Sequence, residues 1–319
     1  MLKAENNYVR RPFRRVHILP SLLTVGNFAC GFLSIIVSLN AVYCAARPEL
    51  RDADGQAEMA AALTAANFIV LNKRENHPRP GNPFPKLLTW ACILIFVGMV
   101  FDSLDGMVAR RVGAASAFGT ELDSLADVVT FGLAPPVMVN AVWISAMPSS
   151  SPWLGTIGIF GFIFAISAVL RLARYNIRCG SSDRNTFTGL PSPAAAGCVA
   201  AAVLLIAGGY GSVESFAAWV AGLAGNDFTG SQAKAHMLGV FLLLPGILMI
   251  TTIPFAHLAN RYLAGKKSFF TLVAAVLLLA LTWLEPRIML FAGFNGYMLG
   301  GLLLAAWRLG RRGQARARA

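Results

Sequence analysis

The chain has 319 residues, 56% of them hydrophobic and 13% charged, with a formal net charge of +12. Soluble domains carry about a quarter charged residues, so half that figure with long apolar runs excludes an ordinary soluble enzyme and points to a polytopic membrane protein. The basic residues stand at the ends of apolar segments rather than in one patch, which argues for membrane topology and against nucleic acid as partner.

In chain order, residues 1–19 form a basic arm with Lys3, Arg10, Arg11, Arg14 and Arg15 just before the first apolar run. Such an arm reads as a topology signal or, alternatively, as a short interfacial helix gripping anionic headgroups. His17 stands alone there and reads as an interface residue. No cleavage site is evident, so the run reads as a retained helix and not a signal peptide. A spanning helix needs roughly 20 mostly apolar residues. Eight segments qualify, at approximately 20–43, 86–109, 118–146, 153–173, 191–211, 237–260, 268–284 and 288–308. They predict an all-α, polytopic membrane bundle, with a catalytic body over 20–308 and a basic tail over 309–319. A long connection over 44–85, ending in the proline-rich "HPRPGNPFPK", reads as an insertion away from the cytoplasm. The five cysteines, Cys30, Cys44, Cys92, Cys179 and Cys198, make no C-x-x-C pair or zinc-type cluster and read as packing residues.

An even number of spans puts both termini on one side. That side holds 19 of the Lys and Arg residues and the other holds 8, so the termini are expected in the cytoplasm. The turn between the second and third spans is expected there too.

That turn carries the chemistry. "FDSLDGMVARRVGAASAFGTELDSLADVV", residues 101–129, holds five of the 15 acidic residues. Asp102 and Asp105 are three apart, and Asp123 and Asp127 four apart, so on helices each pair shares a face. The "RVGAASAFG" between them can reverse the chain and let the faces converge. Four carboxylates at one spot repel strongly unless cations neutralise them. Oxygen-only ligands favour hard cations such as Mg²⁺, Mn²⁺ or Ca²⁺, and four carboxylates suffice for two ions. Gly106 and Gly119 permit close approach of a ligand or backbone. Arg110 cannot ligate metal but can pair with phosphate. Helix-capping acids facing water would account for one or two of these residues, not for the whole arrangement. A cation transporter is the reading from another class. Its ionisable groups would be expected nearer mid-membrane, whereas these cluster at one end.

The pattern D-x2-D-G-x2-A-R-x8-G-x3-D-x3-D resembles the signature of the CDP-alcohol phosphotransferases. Asp102, Asp105, Gly106, Ala109, Arg110, Gly119, Asp123 and Asp127 fill every fixed position. The resemblance implies a six-helix membrane core, often dimeric, and transfer of a phospho group from a CDP-linked donor to an alcohol with release of CMP. It further implies two divalent ions, Mg²⁺ or Mn²⁺, on the four aspartates, with Asp127 as the base. Chemistry alone does not separate Asp127 from Asp123 in that role. Gly106, Ala109, Arg110, Gly119 and, on the first span, Asn27 are implied on the donor side.

"LPSLLTVGNFACGF" (19–32), "DSLADVVTFGLAPP" (123–136), "RLARYNI" (171–177) and "FTGLPSPAAAG" (187–197) resemble the serine-using branch. That branch implies CDP-diacylglycerol and L-serine as substrates. Choline or glycerol 3-phosphate is the alternative acceptor. Arg171, Arg174 and Asn176 are candidates for the acceptor pocket, the arginines gripping its carboxylate, though positive-inside anchors would look the same. Ser192 is a weaker candidate beside a structural helix start. The long 44–85 connection departs from the family. Membership also implies an integral membrane enzyme, in the inner membrane if bacterial, with its site facing the cytoplasm.

Overall fold

The computed structural model describes residues 18–46, 84–112, 117–147, 151, 155–178, 189–207, 230–253 and 284–317. Residues 1–17 of the basic arm, nearly all of the 44–85 connection and, apart from Leu284, the segment expected over 268–284 lie outside them. All regular structure among the described residues is helical: α1 (Ile18–Ala46), α2 (Phe84–Val112), α3 (Ala117–Asp127), a π-helical stretch (Val128–Leu133), α4 (Ala134–Ala146), α5 (Thr156–Arg178), α6 (Ser192–Ala207), α7 (Gly230–Ile250) and α8 (Pro286–Ala317).

Six helical stretches among the described residues are long and apolar enough to cross a membrane: Pro20–Tyr43, Phe84–Ala109, Phe118–Ala146, Thr156–Ile177, Gly230–Ile250 and Pro286–Trp307. They correspond to six of the eight expected segments. Of the expected 191–211 span, α6 covers 192–207, and 208–211 lie outside the described residues. The expected 237–260 span is displaced towards the N-terminus. Small polar residues over "GSQAKAH" extend α7 backwards, and it stops at Ile250, before "TTI". Thr251 Oγ1 donates to Leu248 O as the helix stops.

The third span is not one continuous α-helix. Pro135 and Pro136 have no N–H to donate one turn back, so the backbone opens by one residue. Ala134 N bonds Val129 O instead, five residues earlier. The π-helical stretch therefore lies directly after Asp127 and changes the facing of everything beyond it.

α1 packs most extensively against α2, α5 against α7, and α6 against α8, α2 and α7. Phe131, Met138, Trp143, Phe164, Leu88 and Ile95 fill the centre. Among lipid tails apolar side chains gain little by association, so packing depends on close approach of small residues. α6 supplies them in "PAAAGCVAAA", and Gly197 lies against the ring of Phe294. Large apolar side chains such as Phe162, Ile177 and Leu303 are exposed, as suits a hydrocarbon surround. The described chain is thus a polytopic membrane helical bundle.

Candidate active site and metal centre

The C-terminal end of α2, the C-terminal half of α3, the N-terminal half of α1, the end of α5 and the start of α6 gather at one end of the bundle. Side-chain hydrogen bonds tie them together. Asn176 Nδ2 on α5 donates to Ser124 Oγ on α3 at 3.0 Å, and Arg171 Nη1 donates to Ser192 Oγ on α6 at 2.9 Å. Arg174 Nη1 donates to Ile250 O at 3.0 Å, closing the carbonyl end of α7.

At the centre, Asp102, Asp123 and Asp127 each offer a carboxylate oxygen, and these oxygens lie within 4.8 Å of one another. The helical spacing brings Asp123 and Asp127 to one face of α3, and the reversal after α2 sets that face against Asp102. Like charges 4.8 Å apart repel by about 3.5 kcal/mol per pair at an effective dielectric constant of about 20. Three such pairs cost about as much as the net stability of a whole domain. Such a cluster is neutralised either by taking up protons or by holding a cation. Asp123 Oδ1 is buried and has no hydrogen-bond partner. A hard oxygen without a donor, among two more carboxylates, fits a hard divalent cation. The cluster could hold a metal ion.

Asp105 stands outside that trio. It is 5% exposed, and its Oδ2 accepts a hydrogen bond from Thr24 Oγ1 at 3.0 Å. Electrostatically it still faces Asp123 and Asp127. The sequence places four aspartates in two equivalent pairs, whereas the structure converges three and ties the fourth to α1.

Asn27, expected on the donor side, is wholly buried and donates through Nδ2 to Asp127 Oδ1 at 3.1 Å. Its own backbone carbonyl accepts the Thr130 hydroxyl at 2.9 Å. Gly31 and Gly98 permit this contact, since a Cβ on either would collide with Thr130. Thr24, Thr130 and these two glycines were not legible as site residues. A threonine or glycine in an apolar helix is ordinary, although Thr24 lies three residues before Asn27 and so shares its face.

Gly106, Ala109 and Gly119 lie on the α2 and α3 stretches that carry the aspartates and are partly buried. Arg110 lies on α2, and its side chain falls outside the described residues. Arg171 and Arg174 have different surroundings. Arg171 is within electrostatic reach of Asp127, Tyr175 and Tyr297, and its Nε is buried without a partner. The recorded hydrogen bond of Arg174 is to the end of α7. Tyr297, on α8, is a neighbour of Arg171 that the sequence did not signal.

A membrane helical bundle with paired aspartates at one end and the eight-residue signature defines a class. The CDP-alcohol phosphatidyltransferase family model matches residues 57–226. The chain belongs to that family. It is 31% identical over 218 residues to a CDP-diacylglycerol–serine O-phosphatidyltransferase of Helicobacter pylori (strain J99), covering 67% of this chain and 78% of the relative. It is 41% identical over 110 residues to the enzyme of the same name from Bacillus subtilis (strain 168), covering 34% and 57%. Against archaetidylserine synthase of Methanothermobacter thermautotrophicus it is 37% identical over 111 residues, covering 34% and 44%.

Proposed function

We propose that this protein transfers the phosphatidyl group of CDP-diacylglycerol to the hydroxyl of L-serine, giving phosphatidylserine and CMP. The observation that carries the reading is the convergence of Asp102, Asp123 and Asp127 within electrostatic reach of the half-buried Arg171. That arrangement serves a phosphoryl centre and an acidic acceptor at one place. The names of the relatives support serine: the transferases use it in name, and so does the archaeal synthase.

Two divalent cations, Mg²⁺ or Mn²⁺, held by Asp102, Asp105, Asp123 and Asp127 would neutralise the pyrophosphate and make CMP a good leaving group. Serine Oγ attacks the lipid-side phosphorus, the bond from that phosphorus to the CMP oxygen breaks, and CMP leaves with the electron pair. Asp127 takes the serine hydroxyl proton. Asn27 holds Asp127 Oδ1 in place for that transfer. Arg171 receives the serine carboxylate, a charge-assisted pairing that its unpartnered Nε leaves room for. Asn176 and Arg174 set the position of α5, and hence of Arg171, through Ser124 and Ile250. Arg110, with Gly106, Ala109 and Gly119 around it, serves the donor phosphates and nucleotide.

The protein works in a lipid bilayer as a homodimer, in the inner membrane of a bacterium, with its termini and site on the cytoplasmic side. The catalytic body is 20–308, with 1–19 and 309–319 as basic flanks and 44–85 as an extracytoplasmic insertion. A panel of acceptors with CDP-diacylglycerol and the purified protein tests the reading by CMP release. Serine should support turnover. Turnover with choline or glycerol 3-phosphate and none with serine would reject the acceptor and keep the family chemistry.

A further inference from the structure

We propose that α1 is a brace for the metal centre, with Thr24 and Asn27 as positioning residues that set its affinity for divalent cations. This rests on the metal reading given above and goes beyond it by turning Thr24 and Asn27 of α1 towards the aspartates, where the resemblance implied only a donor contact for Asn27.

Thr24 and Asn27 are three residues apart and share one face of α1. Each gives one hydrogen bond to one signature aspartate, and the two aspartates come from different helices. Thr24 Oγ1 reaches Asp105 Oδ2 on α2 at 3.0 Å, and Asn27 Nδ2 reaches Asp127 Oδ1 on α3 at 3.1 Å. All four side chains are buried. Thr24 Oγ1 also lies 3.1 Å from Pro20 O, the usual resting place of a helical threonine hydroxyl. One proton cannot serve both, and the carboxylate is the stronger acceptor. The brace is itself fixed, because Thr130 donates to the carbonyl of Asn27 and Gly31 and Gly98 admit Thr130 to the contact.

The physical need is plain. Mutually repelling carboxylates are pushed to turn away from one another about their side-chain torsions. A neutral donor on a third helix holds each carboxylate without adding charge, so less ordering remains to be done when a cation binds. Because Thr24 and Asn27 are buried, they act through the aspartates and not by touching a soluble substrate.

The test is Mn²⁺ binding to the purified full-length protein, measured as loss of the free Mn²⁺ resonance signal and by calorimetry, with folding followed by thermal unfolding. Thr24→Val and Asn27→Leu should each weaken Mn²⁺ binding about tenfold or more, the size usual for partners of metal ligands. Thr24→Ser, which keeps the hydroxyl, should stay within about twofold of the parent. At saturating Mn²⁺ the KM for CDP-diacylglycerol should be unchanged in the two Thr24 variants. A folded Thr24→Val protein that binds Mn²⁺ like the parent overturns the brace, as does equal loss in Thr24→Ser. If Thr24→Val does not fold, Thr24→Ala is judged by the same criteria. A parent protein that binds no Mn²⁺ overturns the metal centre and the brace together. The expected losses with turnover of an acceptor other than serine would keep the brace and reject only the serine reading.

Discussion

Gly31→Ala is the sharpest probe of how the site is held. A Cβ at that position would stand 2.5 Å from the Cα of Thr130, where ordinary contact begins at 3.4 Å. The obstacle is backbone, so α1 and the π-helical stretch must separate by about 0.9 Å. Asn27 is one turn away on the same helix. Carried that far, a 0.9 Å opening lengthens the 3.1 Å bond to Asp127 and the 2.9 Å bond from Thr130 beyond about 3.5 Å, where a hydrogen bond ceases. Overpacking costs about 1–3 kcal/mol. Replacing a helical Gly by Ala returns about 1 kcal/mol. The net loss of stability is therefore small, while a misplacement of about 1 Å in a catalytic group costs about 100-fold in rate. CMP release from CDP-diacylglycerol, measured beside thermal unfolding, should show a much larger fall in rate than in stability. Gly98→Ala meets a methyl group of Thr130 at 2.8 Å and should lose less. Gly158→Ala and Gly296→Ala meet nothing within 4 Å and should keep the parent rate. A parent-like rate in folded Gly31→Ala, or equal losses at Gly31 and Gly296, would refute the reasoning.

Three other outcomes are expected. Chelation of divalent cations should abolish CMP release and added Mg²⁺ or Mn²⁺ should restore it, because three carboxylates within 4.8 Å require a neutralising charge; full turnover in metal-free buffer contradicts this. Asp127→Asn should slow turnover by about 10²–10⁴-fold at saturating metal, with metal occupancy measured in the same sample to separate loss of a base from loss of a ligand. Arg171→Ala should raise the KM for serine more than that for CDP-diacylglycerol, whereas Arg174→Ala should chiefly lower thermal stability, because its hydrogen bond closes α7; matched serine KM changes in the two variants would show that their surroundings do not separate their roles.

The membrane class, most of the spans and an aspartate cluster that could hold a metal ion were legible in the amino-acid sequence. Hydropathy is additive along a chain, and a spanning helix must satisfy its backbone internally whatever its neighbours do. The i, i+3 and i, i+4 spacings of the aspartates are likewise local, so their shared faces follow from helix geometry alone. Helix ends were less legible where polar residues extend a helix, as at 230–236, or where it stops before the expected end, as at Ile250. Only the tertiary structure decided which helix reaches the aspartates from outside the signature. Thr24 and Asp105 are 81 residues apart, and Asn27 and Asp127 are 100 apart. No local periodicity records which distant face a buried hydroxyl will meet. The same holds for the two arginines of "RLARYN". They are one helical turn apart and chemically alike, yet packing turns Arg171 towards Asp127 and Arg174 to the end of α7, because the neighbours on each face differ and a sequence of one helix does not contain its neighbours.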